Sequence, residues 1–191
     1  MTAVPQISRA LMDDSSLIRA IAGGNLEALG ELFDRHEPEM RRYLSSLGIP
    51  AIDIDDLVQT AFLEVMRAAP RFDSNLSVRP WLLGIATVMV RRHRRSLGRA
   101  LARLARVAGL VQKDAPPTPV EFVESDETSR RLQRAFEALS SKKREVFVLI
   151  ALEGLSGEDA AHALGVPVNT VWTRLHHARL ELRAAIEEVD P

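Results

Sequence analysis

Residues 154–182, GLSGEDAAHALGVPVNTVWTRLHHARLEL, carry the pattern that decides the fold. Ser156 and Asp159 stand three residues apart, which is the spacing of a capping box at the start of a helix. Gly165 tolerates the left-handed conformation that ends a helix, and Pro167 suits the first turn of the next one. The segment therefore predicts two helices joined by a tight turn.

The second helix of this pair has two different faces. Apolar residues recur at helical spacing on one side, namely Val171, Leu175, Ala178 and Leu182. The other side carries Asn169, Trp172, Thr173, His176, His177, Arg179 and Arg183. Donors and an aromatic ring on an exposed second helix are typical of a helix-turn-helix that enters the DNA major groove. Helical hairpins also occur as plain packing units, so this segment alone leaves both interpretations open.

Composition restricts the class of protein. The chain of 191 residues has no cysteine, which excludes disulfides and thiolate metal sites and fits a reducing compartment. No uncharged apolar run approaches the roughly 20 residues of a membrane span. The N-terminus lacks the basic and apolar regions of a signal peptide. We therefore expect a cytoplasmic protein without membrane insertion.

Charge is unevenly distributed, although the net charge is only −1. Residues 1–70 carry six basic and eleven acidic side chains, whereas residues 71–113 carry ten basic and one acidic. Residues 114–128 hold five acidic side chains and no basic one, and residues 129–191 hold nine of each. A basic block between acidic segments indicates a local contact with a polyanion.

Helical periodicity dominates the chain and strand signals are nearly absent, so we expect an all-α protein with two small helical domains. Residues 14–98 would form a four-helix domain. Its helix starts are marked by Asp13 or Asp14, Asn25, Asp53 and Pro80. Residues 99–128 would form a basic helical extension and an acidic, proline-rich linker, and residues 129–188 the helix-turn-helix domain.

Two stretches resemble the extracytoplasmic-function (ECF) group of bacterial RNA polymerase sigma factors. Residues 53–86, DIDDLVQTAFLEVMRAAPRFDSNLSVRPWLLGIA, are similar to the part that binds core polymerase and reads the −10 promoter element. Residues 139–183, LSSKKREVFVLIALEGLSGEDAAHALGVPVNTVWTRLHHARLELR, are similar to the domain that reads the −35 element. The resemblance covers residues 14–98 and 129–186. It implies an alternative, stress- or signal-responsive sigma factor that binds core RNA polymerase, recognises both elements and helps to melt DNA.

The resemblance implies a docking face for core polymerase on the third helix. It assigns this role to Asp55, Asp56, Gln59 and Leu63. The inward side of the same helix would carry Leu57, Ala61, Phe62 and Val65. The acidic residues could also be explained by their position alone, because negative charge favours the start of a helix.

The resemblance also implies −10 contacts from the loop 71–79 and the basic block, where a base flipped out of the non-template strand would be captured. The residues concerned are Phe72, Ser74, Asn75, Arg79, Arg91, Arg92, Arg94 and Arg95. Phe72 could instead pack in the core, Asn75 could be a turn residue, and the arginines could form a solvated helix end. Val88 and Arg92 stand where family members commonly have Asn and Asp, so no −10 base preference is implied.

On the second helix of the helix-turn-helix, the resemblance implies contacts with the −35 element. These fall on Asn169, Thr170, Trp172, Thr173, Arg174, His176, His177 and Arg179. Trp172 stands where members usually have Lys or Arg. Because Val171 and Leu175 already form the inward stripe, we expect its indole to be exposed. His176 and His177 are adjacent, so they do not form the i, i+4 pair of a helical metal site.

Signatures of catalysis do not occur in the sequence. A phosphate-binding glycine loop, a His-Glu-x-x-His motif and a nucleophile elbow are all missing. We therefore expect a non-enzymatic protein that uses no cofactor or metal. The competing hypotheses are a gated repressor that binds a palindrome as a dimer, and a helical adaptor that binds only proteins.

The expected partners follow from the resemblance. They are core RNA polymerase, double-stranded −35 DNA and melted −10 DNA. The basic amphipathic extension over residues 97–111 could pack on its own domain, follow DNA or bind an anti-sigma factor.

Overall fold

The computed structural model describes residues 12–107 and 127–187. Its helices are α1 Asp14–Ala22, α2 Leu26–Ser46, α3 Ala51–Ala68, α4 Val78–Val107, α5 Glu127–Ala138, α6 Ser141–Phe147, α7 Gly157–Leu164 and α8 Val168–Glu187. A 3₁₀ turn, Ala69–Arg71, follows α3, and a π-helical turn, Val148–Leu152, follows α6. No strand occurs within the described ranges, and the all-α prediction is confirmed there.

The first two helices begin where side-chain oxygens satisfy free backbone N–H groups. The Asp13 carboxylate accepts from the backbone N–H of Ser16 at 2.7 Å. Asn25 Oδ1 accepts from the backbone N–H groups of Glu27 and Ala28 at 2.9 and 3.1 Å. The predicted caps Asp13 and Asn25 are therefore confirmed.

The third helix starts earlier than predicted. Asp53 is not its cap, because α3 begins at Ala51, directly after Pro50, and no side chain caps it. Pro50 takes the N-cap position in an extended conformation, with φ −58° and ψ 142°, and helical geometry begins at Ala51. Asp53 lies in the first turn instead, where its negative charge favours the helix dipole.

The fourth helix extends beyond residue 98, the predicted end of the four-helix domain. It runs for 30 residues, from Val78 to Val107, and contains both the basic block and the described part of the basic extension. Residues 108–126, with the end of that extension and most of the predicted linker, lie outside the described residues. The next helix begins at Glu127, inside the predicted linker.

Helices α1 to α4 surround a polar pair at the centre of their core. The hydroxyl groups of Tyr43 and Thr87 lie 2.5 Å apart, and both residues are completely buried. The Thr87 hydroxyl donates to the carbonyl of Leu83 at 2.8 Å, so the Tyr43 hydroxyl is the donor to Thr87. Burial raises the pKa of Tyr43, and its hydroxyl stays neutral.

The two halves of the chain pack against each other and share one continuous core. Helix α7 crosses α4 so closely that a Cβ atom on Gly84 would lie 2.7 Å from the carbonyl oxygen of Ala163. Glycine at this position lets the two helix backbones approach. The N-terminal and C-terminal helical units are thus held together in a compact arrangement.

Candidate polymerase and nucleic-acid interfaces

The turn between α7 and α8 has the local structure that the sequence predicts. The Ser156 hydroxyl accepts from the backbone N–H of Asp159 at 3.0 Å and donates to its carboxylate at 2.8 Å. Gly165 ends α7 with φ +64°, in the left-handed region. On α8 the predicted inward stripe is buried, with Val171, Leu175, Ala178 and Leu182 each at most 6% exposed.

The opposite face of α8 points to solvent. Exposed there are Asn169, Trp172, Thr173, His176, His177 and Arg179, with Thr170 and Arg174 half-buried beside them. Trp172 is 49% exposed, as its position outside the inward stripe predicts. The Thr173 hydroxyl donates to the carbonyl of Asn169 at 2.9 Å, which leaves its oxygen lone pairs and its methyl group for other contacts. Helix α8 therefore presents donors, acceptors and an aromatic ring on one accessible surface.

A second accessible surface lies on α3. Asp55, Asp56, Gln59 and Leu63 are exposed, and Leu57, Ala61, Phe62 and Val65 are buried, as expected. Asp55 is also paired with Arg41 of α2. Ile52 is 87% exposed and extends the same row at spacings of four, three and four residues through Asp56, Gln59 and Leu63. Ile52 is not part of the predicted docking face, because the helix was expected to begin at Asp53 and in fact begins at Ala51.

The loop after α3 supports two of the alternative explanations. The ring of Phe72 packs against Trp81, with the centroids 4.8 Å apart, and is only partly exposed. The backbone N–H and the side-chain amide of Asn75 both donate to Asp73 Oδ1, at 3.0 and 2.9 Å. Phe72 thus contributes to packing and Asn75 to a turn, whereas Ser74 is exposed without such a role in the loop.

Three of the predicted −10 arginines are engaged by the C-terminal half of the chain. Arg91 binds both carboxylate oxygens of Glu145 on α6, at 2.6 to 3.2 Å, and Glu145 is only 1% exposed. This paired hydrogen bonding raises the pKa of Arg91. Arg79 binds Glu153 at 3.0 Å and also Glu39. Burial raises the pKa of Glu153, and the neighbouring carboxylate adds to that rise.

Arg94 is held at the C-terminal end of α2. It donates to the carbonyl of Leu47, and also to the Ser141 hydroxyl of α6 at 3.1 Å. Arg144 of α6 points to the same Leu47 carbonyl at 3.5 Å. Burial lowers the pKa of both arginines, yet positive charge suits the negative end of a helix dipole. Arg92 and Arg95 differ from these residues because they are exposed.

The acidic partners Glu145 and Glu153 are not among the residues predicted from the sequence. They lie 54 and 74 residues away from Arg91 and Arg79, their respective partners. No local pattern connects residues so far apart. The charge distribution does not indicate Glu145 and Glu153 either, because residues 129–191 carry equal numbers of acidic and basic side chains.

The described residues contain neither a metal-binding cluster nor a membrane-spanning helix. No group of three or more His, Asp or Glu side chains there is placed to hold a metal ion. Across residues 12–107 and 127–187, no helix combines the length and apolar character needed to cross a membrane.

Family models match both halves of the chain. The model of sigma-70 region 2 matches residues 32–100, and the model of sigma-70 region 4 matches residues 129–182. The first of these ranges contains α3 and the predicted −10 arginines of α4, and the second contains α7 and most of α8. The two matches follow the order that the sequence analysis expects.

Individual proteins are similar over nearly the whole chain. The RNA polymerase sigma factor CnrH of Cupriavidus metallidurans is 33% identical over 91% of this chain and 94% of its own length. The ECF RNA polymerase sigma factor SigC of Mycobacterium tuberculosis is 33% identical over 92% of each chain.

Solved structures show the same fold. CnrH in complex with the cytosolic domain of CnrY superposes with a TM-score of 0.64 at 30% identity, covering 93% of this chain and 99% of that one. The sigma factor RpoE of Bartonella quintana, in complex with the anti-sigma factor NepR, superposes with a TM-score of 0.59 at 25% identity, covering 83% and 96%.

Proposed function

The chain belongs to the ECF group of RNA polymerase sigma factors, and from this we propose that it directs core polymerase to promoters as a non-catalytic specificity subunit. It places α8 in the major groove of the −35 element and holds melted −10 DNA near α4, while polymerase performs the chemistry. We place this activity in the cytoplasm, as an alternative sigma factor that responds to stress or another signal.

The exposed face of α8 is the observation that carries the proposal. A reading helix needs side-chain donors and acceptors that protrude from a firmly anchored backbone. Here the anchor is the buried stripe of α8, and the exposed Asn169, His176 and Arg179 supply donors and acceptors. Polar groups are usual on the solvent side of a packed helix, so the group that a mere packing unit does not require is the 49% exposed indole of Trp172.

Core polymerase would dock on the exposed face of α3. Asp55, Asp56 and Gln59 offer acidic and amide groups, and Leu63 adds an apolar contact. We add Ile52 to this face, because an isoleucine that is 87% exposed gains free energy when a partner covers it. An apolar contact bordered by polar groups is the usual composition of a protein–protein interface.

Promoter phosphates would compete for arginines that already have partners. Arg91 would have to leave the Glu145 carboxylate, and Arg79 the Glu153 carboxylate, before either could bind DNA. Arg95 is exposed, and Arg92 is exposed and only 4.0 Å from the Glu64 carboxylate, so neither is held as firmly. We therefore expect weak DNA binding by the free protein and stronger binding once core polymerase separates the two halves.

An anti-sigma factor is a further proposed partner. The RpoE relative was solved with one, and this chain shares its fold.

Run-off transcription with purified core polymerase tests the proposal. We expect initiation at a set of promoters only when both core polymerase and this chain are present, and sequencing of the transcripts locates the start sites. High-affinity binding to a palindrome without polymerase would favour the repressor hypothesis instead. Absence of initiation at any promoter would refute the proposed function.

A further inference from the structure

The indole of Trp172 lies against the first residue of helix α7. A Cβ atom added to Gly157 would lie 2.3 Å from Cζ2, 2.8 Å from Cε2 and 3.2 Å from Cη2 of the ring. No real Cβ contact is as short as the first of these, so any larger residue at position 157 would displace the ring. Gly157 is itself buried, while Trp172 stays 49% exposed.

Backbone conformation does not explain the glycine at this position. The positive φ angles in the described residues belong to other glycines, and Gly157 is an ordinary residue of the first helical turn. Alanine would suit such a turn better by up to about 1 kcal/mol. The ring contact is what requires glycine here.

We propose that Gly157 positions the Trp172 indole, and that the indole held there reads the C5-methyl group of a thymine in the −35 element. This inference rests on the proposed function, in which α8 enters the −35 groove. Trp172 and His176 are four residues apart on α8 and therefore lie on the same side of the helix, and both are exposed, so the indole belongs to the proposed reading surface.

The chemistry of the ring selects the methyl group. Indole has one donor and no acceptor, so it cannot make the paired hydrogen bonds by which side chains recognise guanine or adenine. Its exposed carbon atoms instead match the apolar feature of the major groove, the methyl group of thymine. A ring fixed against a helix backbone also loses little conformational entropy on binding.

The experiment uses holoenzyme assembled from core polymerase and the full chain. At a promoter located by start-site mapping, each thymine of the −35 element is replaced in turn by deoxyuridine, which lacks only the C5-methyl group. We expect one position at which wild-type holoenzyme binds deoxyuridine about fourfold more weakly, which corresponds to ~0.8 kcal/mol for one buried methyl-sized group. Equal affinity at every position would overturn the inference.

Three variants separate positioning from mere packing. Trp172→Ala and Gly157→Ala should each abolish the preference for thymine. The double variant should behave like Trp172→Ala, because Gly157 acts through the ring. A further change caused by Gly157→Ala in the Trp172→Ala background would give Gly157 an independent role and overturn the inference.

A matched control and a spectroscopic measurement complete the test. Gly30→Ala adds a Cβ in helix α2 with nothing within 4 Å, so the thymine preference should persist. In a Trp81→Phe background, Gly157→Ala should change the fluorescence of Trp172 in the free protein; an unchanged spectrum would contradict the positioning role. If wild-type holoenzyme shows no core-dependent transcription, the proposed function is contradicted. If it transcribes normally but has no preference for thymine, only this inference is contradicted.

Discussion

The exposed face of α8 and the arginine-bearing face of α4 are both proposed to contact DNA, but they differ in their present partners. On α8 most of the proposed DNA-reading side chains are exposed, and the helix is anchored by its apolar stripe and by the pair between Glu181 and Lys143 of α6. On α4, Arg79, Arg91 and Arg94 are engaged by carboxylate, hydroxyl and carbonyl groups of other helices. In the proposed function, α8 would bind DNA without rearrangement, whereas Arg79, Arg91 and Arg94 of α4 would first have to leave their present partners.

The largest expected effect comes from Arg91→Ala. It leaves the buried carboxylate of Glu145 without its cation, and because Arg91 itself is 35% exposed, we expect a cost near the lower end of the roughly 3–5 kcal/mol found for buried pairs. Urea denaturation should show this as a lower midpoint of unfolding. Arg92→Ala is the control, because Arg92 is exposed and 4.0 Å from Glu64, and it should cost less than about 1 kcal/mol. Equal midpoints for the two variants would show that α4 and α6 are not held by this pair.

Asp56→Arg should weaken the binding of core polymerase and leave the proposed DNA-binding faces of α4 and α8 unchanged. A charge of the wrong sign at the proposed docking face should weaken core binding by about 3 kcal/mol, which is more than a hundredfold. Fluorescence anisotropy with labelled core polymerase measures this. Asp34→Arg changes an exposed acid on α2 and should leave the affinity unchanged. Unaltered binding of Asp56→Arg would remove α3 from the interface.

Gly84→Ala tests the close crossing of α4 and α7. The new Cβ would lie 2.7 Å from a backbone carbonyl that cannot rotate away, so we expect a loss of roughly 1–3 kcal/mol in unfolding free energy and a more extended protein. Small-angle scattering and urea denaturation measure the two effects. Gly98→Ala lies in the same helix with nothing within 4 Å, and it should stabilise the protein by up to about 1 kcal/mol. Identical behaviour of the two variants would contradict the crossing.

Arg95→Ala should have the smallest effect. Because Arg95 is exposed and has no intramolecular partner to exchange in our proposal, its loss should remove one phosphate contact and lower the log–log salt dependence of promoter binding by ~0.9. Filter binding of the holoenzyme over a range of salt concentrations gives this slope. Arg67→Ala on α3 is the control and should leave the slope unchanged. A slope that stays the same for both would exclude Arg95 from the DNA contact.

Local patterns predicted the parts of the molecule that depend on local interactions. The capping side chains of Asp13, Asn25 and Ser156 each bond a backbone group within three residues, so their spacing in the sequence was enough. The position of Gly165 at the end of α7 follows the same logic. Asp53 does not cap α3, because the helix begins two residues earlier, directly after Pro50. Proline favours a helix start through its fixed φ and not through a side-chain hydrogen bond, so capping-box spacing does not reveal it.

Long-range contacts decided the details of the candidate sites. Phe72 and Asn75 have residue types that suit either DNA contact or structure, and only the positions of Trp81 and Asp73 showed their structural roles. The exposure of Ile52 depends on where α3 begins. The contact between Gly157 and Trp172 joins residues 15 positions apart, across a turn whose angle no local rule specifies.

The helical character of this chain, the buried face of α8 and the sigma regions that the two halves resemble can all be recognised from the sequence. Periodicity and capping depend on residues within about one or two turns of each other, so they can be recognised without coordinates. Which arginines have an intramolecular partner depends on the tertiary structure. Arg91 and Glu145 meet because α4 packs against the C-terminal helices. Burial of Glu145 then makes that pairing energetically significant, and burial is a property of the whole fold.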